Sequence, residues 1–412
     1  MHLKSITLSS YSVSLLDDLC EKGHLVTVQD EEHGLVGESY SRFGQQRFSE
    51  ETIARAANVF AWGDYDAKWL SDHHHAYSDR IVPTGSPRVD FWRREFRAYY
   101  EKDDSAIATE PKPYILVVSN FGGPLNENRF WNVIAGARKG SYYERDPQSE
   151  YVAYDRVAYL YRLLGQFVLM IRVLAMAFPD VTILVRPHPI ESVDGWAKLI
   201  GEYANIMVAR EGTISSWIRG AAVVIHNGCT SGLEAAVCGV SRIAYRPIPS
   251  EYEGDVPNRV SYQAFSLEQL QEMVALVLNG KKVPGSESVD SAAKEILEHR
   301  FANLNGELAS DRIVKEWEAI AGPSDAERIS MNRLLLEGLK SRLRSGAAGA
   351  KKSLLSLRSG PHNQEFVTAH KFPCLEESEM RGLQEGLQRT LDRFHDVRIR
   401  RFGRRSFLLD SR

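Results

Sequence analysis

The chain has 412 residues, and its 51 Lys and Arg nearly balance its 54 Asp and Glu, so the formal net charge at pH 7 is -3. This balance excludes a general nucleic-acid binder, because such proteins carry a marked basic excess. The four cysteines lie far apart without a CxxC pair, which favours a reducing, cytoplasmic setting. No run of about 18 apolar residues predicts a membrane span, and residues 1–7 lack the apolar stretch of a signal peptide. The length allows two domains.

The first hundred residues alternate short strands with helices. Strands are predicted at residues 25–28, 58–61 and 80–82, and each ends in polar or small residues. Three or four strands are fewer than a complete doubly wound α/β domain usually has. We therefore predict an incomplete α/β domain over residues 1–100. Acidic residues and two prolines at 101–112 indicate a linker.

A second alternating series, residues 113–322, predicts a complete α/β domain. A long helix is expected at 154–178, because its apolar residues follow helical spacing and Pro179-Asp180 stops it. Further helices are predicted near 195–203, 215–221 and 232–239 and through 266–321. The predicted strands of this domain are 114–118, 181–185, 206–208, 223–225 and 242–245.

Residues 323–412 differ in character and predict an extension. Leucines alternate with basic residues over 331–360, a pattern that fits either a helix packed across both domains or a basic amphipathic segment lying on an anionic membrane surface. A helix at 375–394 and a hairpin over 397–409 are predicted to follow.

Polar residues follow two of the predicted buried strands. The strand 181–185 runs into Arg186, Pro187, His188 and Pro189, and the strand 223–225 runs into 226–231. Ligands of open α/β sheets bind at the carboxyl ends of strands, so these two ends predict one phosphate-sized crevice.

The segment after strand 223–225 has the composition of a phosphate loop. Asn227, Thr230 and Ser231 offer hydrogen-bond donors, and Gly228 lets the backbone approach a ligand closely. Ser231 is predicted to cap a helix that begins at Gly232. Glu234 has two interpretations: it completes an S-x-x-E capping box, or it contacts a ribose.

His188 lies between two prolines, which rigidify the turn and leave the imidazole as its polar group. Near a phosphate it would donate a hydrogen bond to the leaving group. The alternative is an ordinary surface histidine, and the neighbouring Arg186 favours the functional interpretation.

The best-placed carboxylates for a general base are Glu31 and Glu32, at the end of the strand predicted over 25–28. The alternative is a solvated charge run. Asn120 and Asn126, which follow strand 114–118, are expected at the same cleft. Arg88 is expected to contact an acidic sugar or to pair with Asp90.

Two patterns argue against a metal ion and a dinucleotide cofactor. The triplet His73, His74 and His75 lacks helical ligand spacing and an acidic companion, which favours a surface loop. Gly122-Gly123 follows a strand, but no GxGxxG pattern does. We therefore predict neither a metal site nor a cofactor.

Together these motifs resemble those of bacterial surface carbohydrate biosynthesis proteins, a GT-B-like family similar to HP-motif glycosyltransferases that use CMP-activated acidic sugars such as sialic acid and Kdo. The resemblance covers nearly the whole chain. The motifs that carry it are Asp30-Glu31-Glu32, Trp62-Gly63-Asp64, Thr84-Gly85-Ser86-Pro87-Arg88-Val89-Asp90, Arg186-Pro187-His188-Pro189, His226-Asn227-Gly228-Cys229-Thr230-Ser231 and Lys371-Phe372-Pro373.

The resemblance implies two Rossmann-like domains facing a cleft, with a C-terminal helix and hairpin extension. It also implies that His188 contacts the donor phosphate, that Thr230 and Ser231 hold the same phosphate, and that Glu31 or Glu32 is the base. The implied partners are a CMP-linked sugar donor and a glycan or lipid-linked glycan acceptor, met in the cytoplasm with peripheral contact at the inner face of the cell membrane.

Three functions remain open from the residues. The first is transfer of a nonulosonic acid or Kdo from its CMP donor to a bacterial surface glycan. The second is a UDP-sugar 2-epimerase, which shares the two-domain architecture and needs acid/base carboxylates deep in the cleft. The third is a non-catalytic protein that binds a nucleotide sugar.

Overall fold

A computed structural model describes residues 2–4, 12–31, 47–100, 113–126, 148–321, 375–401 and 406–411, together with Trp131, Ile134, Ala135 and Arg138. Its framework consists of two parallel sheets, of four and six strands, and a separate two-stranded hairpin. The fold is α/β and GT-B-like: two Rossmann-like units face a cleft, and a helix and hairpin are appended. The first unit holds the four-stranded sheet and the second unit holds the six-stranded sheet.

The elements of the first unit are β1 His2–Lys4, α1 Val13–Glu21, β2 Thr27–Gln29, α2 Glu50–Arg55, β3 Asn58–Phe60, α3 Asp64–His73, β4 Ile81–Val82, α4 Pro87–Asp90 and α5 Arg97–Tyr100. The elements of the second unit begin with β5 Tyr114–Val118, α6 Gln148–Ala177, β6 Thr182–Arg186, α7 Val193–Ile200, β7 Ile206–Val208, α8 Ile214–Gly220 and β8 Val223–His226. They continue with α9 Thr230–Cys238, β9 Ser241–Tyr245, α10 Asp255–Arg259, β10 Tyr262–Ala264, α11 Leu267–Leu278, α12 Ser286–Arg300 and α13 Ala309–Ala321. The appended elements are α14 Glu377–Leu391, β11 Val397–Arg401 and β12 Phe407–Ser411.

The strands of the first sheet are parallel and follow chain order, β1-β2-β3-β4. The register pairs Val28 with Val59 and Phe60 with Val82. The three predicted strands are confirmed within two residues at each end, but β1 was not predicted. It is only three residues long and has one apolar residue, so neither alternation nor an apolar run marks it.

The second sheet has the order β10-β9-β8-β5-β6-β7, and all its strands are parallel. Counted within the unit, this is the 3-2-1-4-5-6 order of a Rossmann sheet. All five predicted strands are confirmed, and β10 and α10 were missed. Strand β6 extends one residue further than predicted and includes Arg186. The order changes direction between β5 and β8, which is where ligands of this fold bind.

Strand β5 is buried along its whole length and supplies both faces of the second core. Ile115 and Val117 point to the face covered by α6, α7 and α11, whereas Leu116 and Val118 point to the face covered by α8 and α9. Successive residues of a strand alternate between faces, so a strand covered on both sides is apolar throughout.

Helix α6 contains a 28-residue segment that is, by length and composition alone, long and apolar enough to cross a membrane. Its Phe167, Met170 and Leu174 are fully buried and pack in the core of the second unit. Core helices of globular proteins share this composition. We therefore describe α6 as a core helix, which begins six residues before the predicted start.

The chain crosses back from the second unit to the first after α11. Phe301, at the end of α12, lies with its ring centroid 5.8 Å from that of Trp62 and 5.9 Å from that of Trp92. Trp317 on α13 donates from Nε1 to Thr27 Oγ1 over 3.0 Å. Both helices fall within the range 113–322 proposed for the second domain, so this part of the chain contributes to both cores.

The appended helix α14 packs on α5, and Arg393 forms an ion pair with Asp311 of α13 over 2.9 Å. Strands β11 and β12 pair antiparallel, as predicted, with Ile399 opposite Leu409. The linker predicted at 101–112 and the basic leucine-rich segment predicted at 331–360 lie outside the described residues.

Candidate functional site

A cavity of about 460 Å³ opens at the carboxyl ends of β5, β6 and β8, where the strand order changes direction. It therefore occupies the position at which Rossmann-like sheets bind their ligands. Its lining residues are Arg88, Val118, Ser119, Asn120, Arg186, Pro187, His188, Pro189, Arg210, Ile214, Cys229, Thr230 and Ser231. The two predicted strand ends thus meet at one crevice, with the end of β5 between them.

His188 lies in the cavity wall, and its backbone and side chain are both held. Its N–H donates to Ser119 Oγ over 3.2 Å, and the N–H of Ile190 donates to His188 Nδ1 over 3.3 Å. An Nδ1 atom that accepts a hydrogen bond carries no proton, so the ring proton of this neutral imidazole is on Nε2. His188 can therefore act as a hydrogen-bond donor without becoming charged.

Two arginines of the cavity wall are fixed by backbone carbonyls. Arg186 donates to the carbonyl oxygens of Glu211 (2.8 Å) and Gly212 (2.6 Å). Arg210 donates to those of Pro189 and Glu191, each over 3.1 Å. Burial lowers the pKa of Arg186 to about 10, which leaves the guanidinium charged at pH 7. The sequence did not single out Arg210, because it lies after β7 and its nearness to the HP loop depends on the sheet.

Glu191 is fully buried behind the cavity and was not predicted as a functional residue. Its carboxylate accepts hydrogen bonds from the backbone N–H groups of Phe121 (2.6 Å), Gly122 (3.1 Å) and His188 (3.4 Å) and from Trp196 Nε1 (2.9 Å). The hydroxyl of Ser119 also donates to it. One carboxylate thus ties the loop after β5 to the loop after β6.

The loop after β8 is built on a buried histidine. His226 is fully buried at the end of β8, where its Nδ1 accepts from the N–H of Gly228 (3.0 Å) and its Nε2 bonds with Ser261 Oγ (2.8 Å). Burial lowers the pKa of His226 to about 3, so the ring stays neutral. Gly228 has a φ of +85°, and a Cβ there would lie 2.8 Å from the backbone nitrogen of Gly254, so this position requires glycine.

Helix α9 points its amino end at the cavity. The helix begins at Thr230, and its N-cap is Cys229, whose side chain makes no capping hydrogen bond. The prediction that Ser231 caps a helix starting at Gly232 is therefore wrong by two residues. Thr230 and Ser231 lie in the first turn instead, where backbone N–H groups lack partners within the helix and the helix dipole favours an anion.

Glu234 lies at the fifth position of α9, so it cannot form the predicted capping box, in which the acidic residue occupies the third position. Its side chain is 1% exposed and accepts a hydrogen bond from the Ser215 hydroxyl. Burial raises the pKa of this carboxyl group, and the nearby Arg88 and Arg219 oppose that shift. Glu234 thus lies behind the cavity wall rather than in its lining.

Among the described residues of the first unit, Arg88 lines the cavity. It lies on the short helix α4, whose N-cap Ser86 accepts from the N–H of Arg88 over 3.3 Å. Its guanidinium carbon is 5.4 Å from the ring centroid of Trp92. Asp90, the alternative partner considered for Arg88, instead accepts hydrogen bonds from Asn303 and Ser310.

Of the two asparagines predicted at the cleft, one lines the cavity and the other does not. Asn120 lines the cavity, and its carbonyl oxygen accepts from Asn227 Nδ2 over 3.3 Å, which joins the β5 and β8 loops across the point where the sheet order changes. Asn126 does not line the cavity and pairs with Glu191 in an isolated β-bridge.

The acidic motif at the end of β2 is described only in part. Asp30 is buried, with a double hydrogen-bonded ion pair to Arg47. Its carbonyl oxygen accepts from Trp62 Nε1 over 2.8 Å. Glu31 is half-buried and is not among the residues that line the cavity. Glu32 lies outside the described residues, so the choice of base remains a prediction.

The charge of the cavity wall has one sign. Three of its lining residues are arginines (Arg88, Arg186 and Arg210), and none of the described lining residues is Asp or Glu. With the amino end of α9 and the imidazole of His188, the charged and polar part of the described wall offers positive charge and hydrogen-bond donors. A wall of this charge is suited to an anion such as phosphate.

No group of three or more His, Cys, Asp or Glu suited to a metal ion was found within the described part of the chain. In the triplet at 73–75, the ring of His73 stacks on Trp69 with centroids 4.0 Å apart, and its Nδ1 bonds with the carbonyl oxygen of Trp69.

No family model matches the chain, and no curated protein matches it. Among solved structures it is similar to the UDP-GlcNAc 2-epimerase of Neisseria meningitidis bound to UDP-GlcNAc, at 11% identity and a TM-score of 0.46, over 78% of this chain and 76% of that one. It is also similar to the UDP-GlcNAc 2-epimerase of Methanocaldococcus jannaschii in complex with UDP-GlcNAc and UDP, at 16% identity and a TM-score of 0.43, over 74% and 79%. A variant of the wall teichoic acid polymerase TagF is similar at 10% identity and a TM-score of 0.41, over 69% and 63%. Similarity at this level does not indicate a substrate, so the function below is derived from the cavity.

Proposed function

We propose that this chain is a GT-B-type glycosyltransferase that moves a nonulosonic acid, of the sialic, legionaminic or pseudaminic type or Kdo, from a CMP-linked donor to a bacterial surface glycan. One observation carries the proposal. The cavity at the point where the sheet order changes is lined by three arginines, His188 and a helix amino end, without Asp or Glu among its described residues. This wall suits a phosphate that gains negative charge as a bond to it breaks.

In the proposed step, a hydroxyl oxygen of the acceptor attacks the anomeric carbon of the sugar. The bond from that carbon to the phosphate oxygen breaks, and CMP leaves with the bonding electrons. The acceptor proton passes to a carboxylate, for which Glu31 and Glu32 of the first unit are the candidates. The acceptor is a glycan or a lipid-linked glycan, met in the cytoplasm or at the inner face of the cell membrane.

In this step the described residues of the cavity donate hydrogen bonds to the leaving phosphate. His188 donates from Nε2, and Thr230, Ser231 and the first-turn N–H groups of α9 donate beside it. Arg186 and Arg210 are already held by backbone carbonyls, so their charges are fixed in place before the ligand arrives. Charge that is preorganised in this way stabilises a transition state without reorganisation.

A UDP-sugar 2-epimerase would use carboxylates in the cleft for acid/base chemistry. Glu234, the second-unit carboxylate considered for that role, is buried against Ser215 and does not line the cavity. This arrangement favours the transferase over the epimerase.

The test is CMP release from a CMP-linked sialic acid or Kdo in the presence of an acceptor glycan. His188→Ala is expected to lower the rate at least about a hundredfold, because loss of one preorganised donor to developing charge costs about 2.7 to 4 kcal/mol. His24→Ala removes an exposed histidine elsewhere and should leave the rate unchanged. Full activity of His188→Ala would contradict the proposed role.

Nucleotide preference separates the three functions. We expect CMP, and not UDP, CDP or GDP, to raise the melting temperature of the protein. Stabilisation by UDP alone would favour the epimerase. Stabilisation by CMP without any release of CMP from the sugar donors would favour a binding protein.

A further inference from the structure

Behind the cavity wall, Glu191 combines complete burial with an unusual number of partners. Its two oxygens accept hydrogen bonds from five donors, four of which belong to the loops that follow β5 and β6. We propose that Glu191 is the positioning residue of the anion site: its carboxylate locks these two loops together and thereby sets the position and ring tautomer of His188. The part of this inference that concerns ligand affinity rests on the proposed function.

The two carboxylate oxygens of Glu191 have different hydrogen-bond donors. Oε1 accepts from the backbone N–H groups of Phe121 and Gly122, over 2.6 and 3.1 Å, and so holds the loop after β5. Oε2 accepts from the Ser119 hydroxyl, from Trp196 Nε1 and from the N–H of His188. The same hydroxyl accepts from the N–H of His188 over 3.2 Å, so the carboxylate is linked to the histidine both directly and through Ser119.

The chemistry of the site requires a carboxylate. Each of the five partners described for the Glu191 side chain is an N–H or O–H donor, and an ionised carboxylate is the side chain that only accepts. A glutamine would have the same shape but would direct its own N–H atoms at donors. A buried charge is tolerated only when it is hydrogen-bonded, and five bonds meet that condition here.

Glu191 influences His188 through the short turn that joins the two residues. The turn from His188 to Glu191 is closed by a bond from the N–H of Glu191 to the carbonyl oxygen of His188, over 2.8 Å. Inside this turn the N–H of Ile190 donates to His188 Nδ1 and so selects the Nε2-protonated tautomer. If Glu191 releases the turn, the Ile190 contact is lost and the imidazole is free to exchange tautomers.

The experiment compares the wild type with Glu191→Gln by ¹⁵N NMR of histidine-labelled protein, with the His188 signals assigned from a His188→Gln variant. In the wild type we expect separate Nδ1 and Nε2 shifts typical of one fixed tautomer. In Glu191→Gln we expect shifts averaged between tautomers. Affinity for CMP, measured by calorimetry, should fall at least about tenfold, since a displaced donor no longer meets the phosphate.

Ile200→Val serves as the control, because Ile200 lies in the core at the end of α7 and is not among the residues that line the cavity. It should lower the melting temperature without changing the His188 spectrum. If Glu191→Gln behaves in the same way, Glu191 is merely structural and the proposal is overturned. If Glu191→Gln does not fold, Ser119→Ala breaks the same link while leaving the carboxylate, and an unchanged His188 spectrum in that variant would overturn the proposal equally.

The two proposals fail in different ways. Loss of the fixed tautomer in Glu191→Gln without any binding of CMP by the wild type would support the positioning role and contradict the CMP-sugar function. Tight CMP binding that survives both Glu191→Gln and Ser119→Ala, with an unchanged spectrum, would contradict the positioning role and support the CMP-sugar function.

Discussion

Asp66 is a buried carboxyl group in the first turn of α3, and it lies outside the candidate site. It is fully buried, and the nearest cation is Arg300, whose Nη1 lies 3.9 Å from Asp66 Oδ1. Burial raises the pKa of Asp66 to about 7; Arg300 opposes the shift and Asp30 adds to it. A carboxyl group of this kind ties the stability of the protein to pH.

The expected pH dependence follows from the direction of this shift. The pKa is about 7 in the folded state against about 3.9 in the unfolded chain, so the folded state holds the proton more tightly between those values. Its contribution is complete below about pH 4 and is lost as the pH rises through about 7, a decrease of up to about 4 kcal/mol in the free energy of unfolding. Asp66→Asn should therefore exceed the wild type in urea unfolding by a smaller margin at pH 5 than at pH 8. Equal pH slopes for both proteins would contradict this assignment.

Residue identity alone could not reveal Asp66 or Glu191. In the sequence both are ordinary acidic residues, and each becomes special only because the tertiary structure closes over it. Glu191 follows the HP motif by two residues, yet its partners Ser119 and Phe121 are some 70 positions earlier in the chain. His188 and Thr230, in contrast, follow apolar strands directly, and that local signal sufficed to predict that they meet.

At the scale of elements, strands of mostly apolar sequence were predictable, and two short strands were missed. The five strands predicted for the second unit are confirmed, and each has a mostly apolar sequence. Strands β1 and β10 have three residues each and owe their pairing to a neighbouring strand rather than to their own composition. The amino end of α9 was displaced by two residues in the prediction because Cys229, a poor capping residue by composition, occupies the N-cap.

The contact between α9 and β8 provides a test at this scale. A Cβ at Gly232 would lie 2.6 Å from His226 Nε2, and the imidazole cannot turn away because both its nitrogens are bonded. Gly232→Ala is expected to lower the free energy of unfolding by about 1–3 kcal/mol and to weaken CMP binding, since the helix end must move.

The matched control for this substitution is Gly165→Ala on α6, where nothing lies within 4 Å of the added methyl group. It should raise stability by about 0.5–1 kcal/mol, because alanine favours a helix over glycine. Urea unfolding of the three proteins measures both effects. A neutral result for Gly232→Ala would show that the α9 end can shift without cost.

At the scale of the whole molecule, the two units are joined by polar as well as aromatic contacts. Asn303, just after α12, is fully buried; it accepts from the N–H of Ser86 (3.2 Å) and donates to the carbonyl oxygen of Ser86 (3.0 Å) and to Asp90 (2.6 Å). Asp90 also accepts from the N–H of Ala309 at the start of α13. The same short helix α4 also places Arg88 in the cavity lining. The chain segment that crosses between the units and the anion site therefore both depend on the position of α4.

We expect Asn303→Ala to lower the free energy of unfolding by about 2–4 kcal/mol, because it leaves buried groups of Ser86 and Asp90 without their partners. CMP binding should also weaken, since Arg88 follows Ser86 by two residues. Differential scanning calorimetry and CMP titration measure the two effects. Asn279→Ala removes an exposed asparagine that bonds only with the carbonyl oxygen of Ala275, and it should change stability by less than about 0.5 kcal/mol. Wild-type stability and affinity in Asn303→Ala would show that the units are held together elsewhere.

The return of α13 to the first unit also affects how this protein is made. Thr27 and Asn58 of the first sheet bond with Trp317 and Glu316, which the ribosome adds more than 200 residues after β4. At synthesis rates of about 5–20 residues per second, the strands of the first sheet are made roughly 10 to 50 s before α13, which carries these partners. During that interval Thr27 and Asn58 lack these partners, so the first unit completes its hydrogen bonding only late in synthesis.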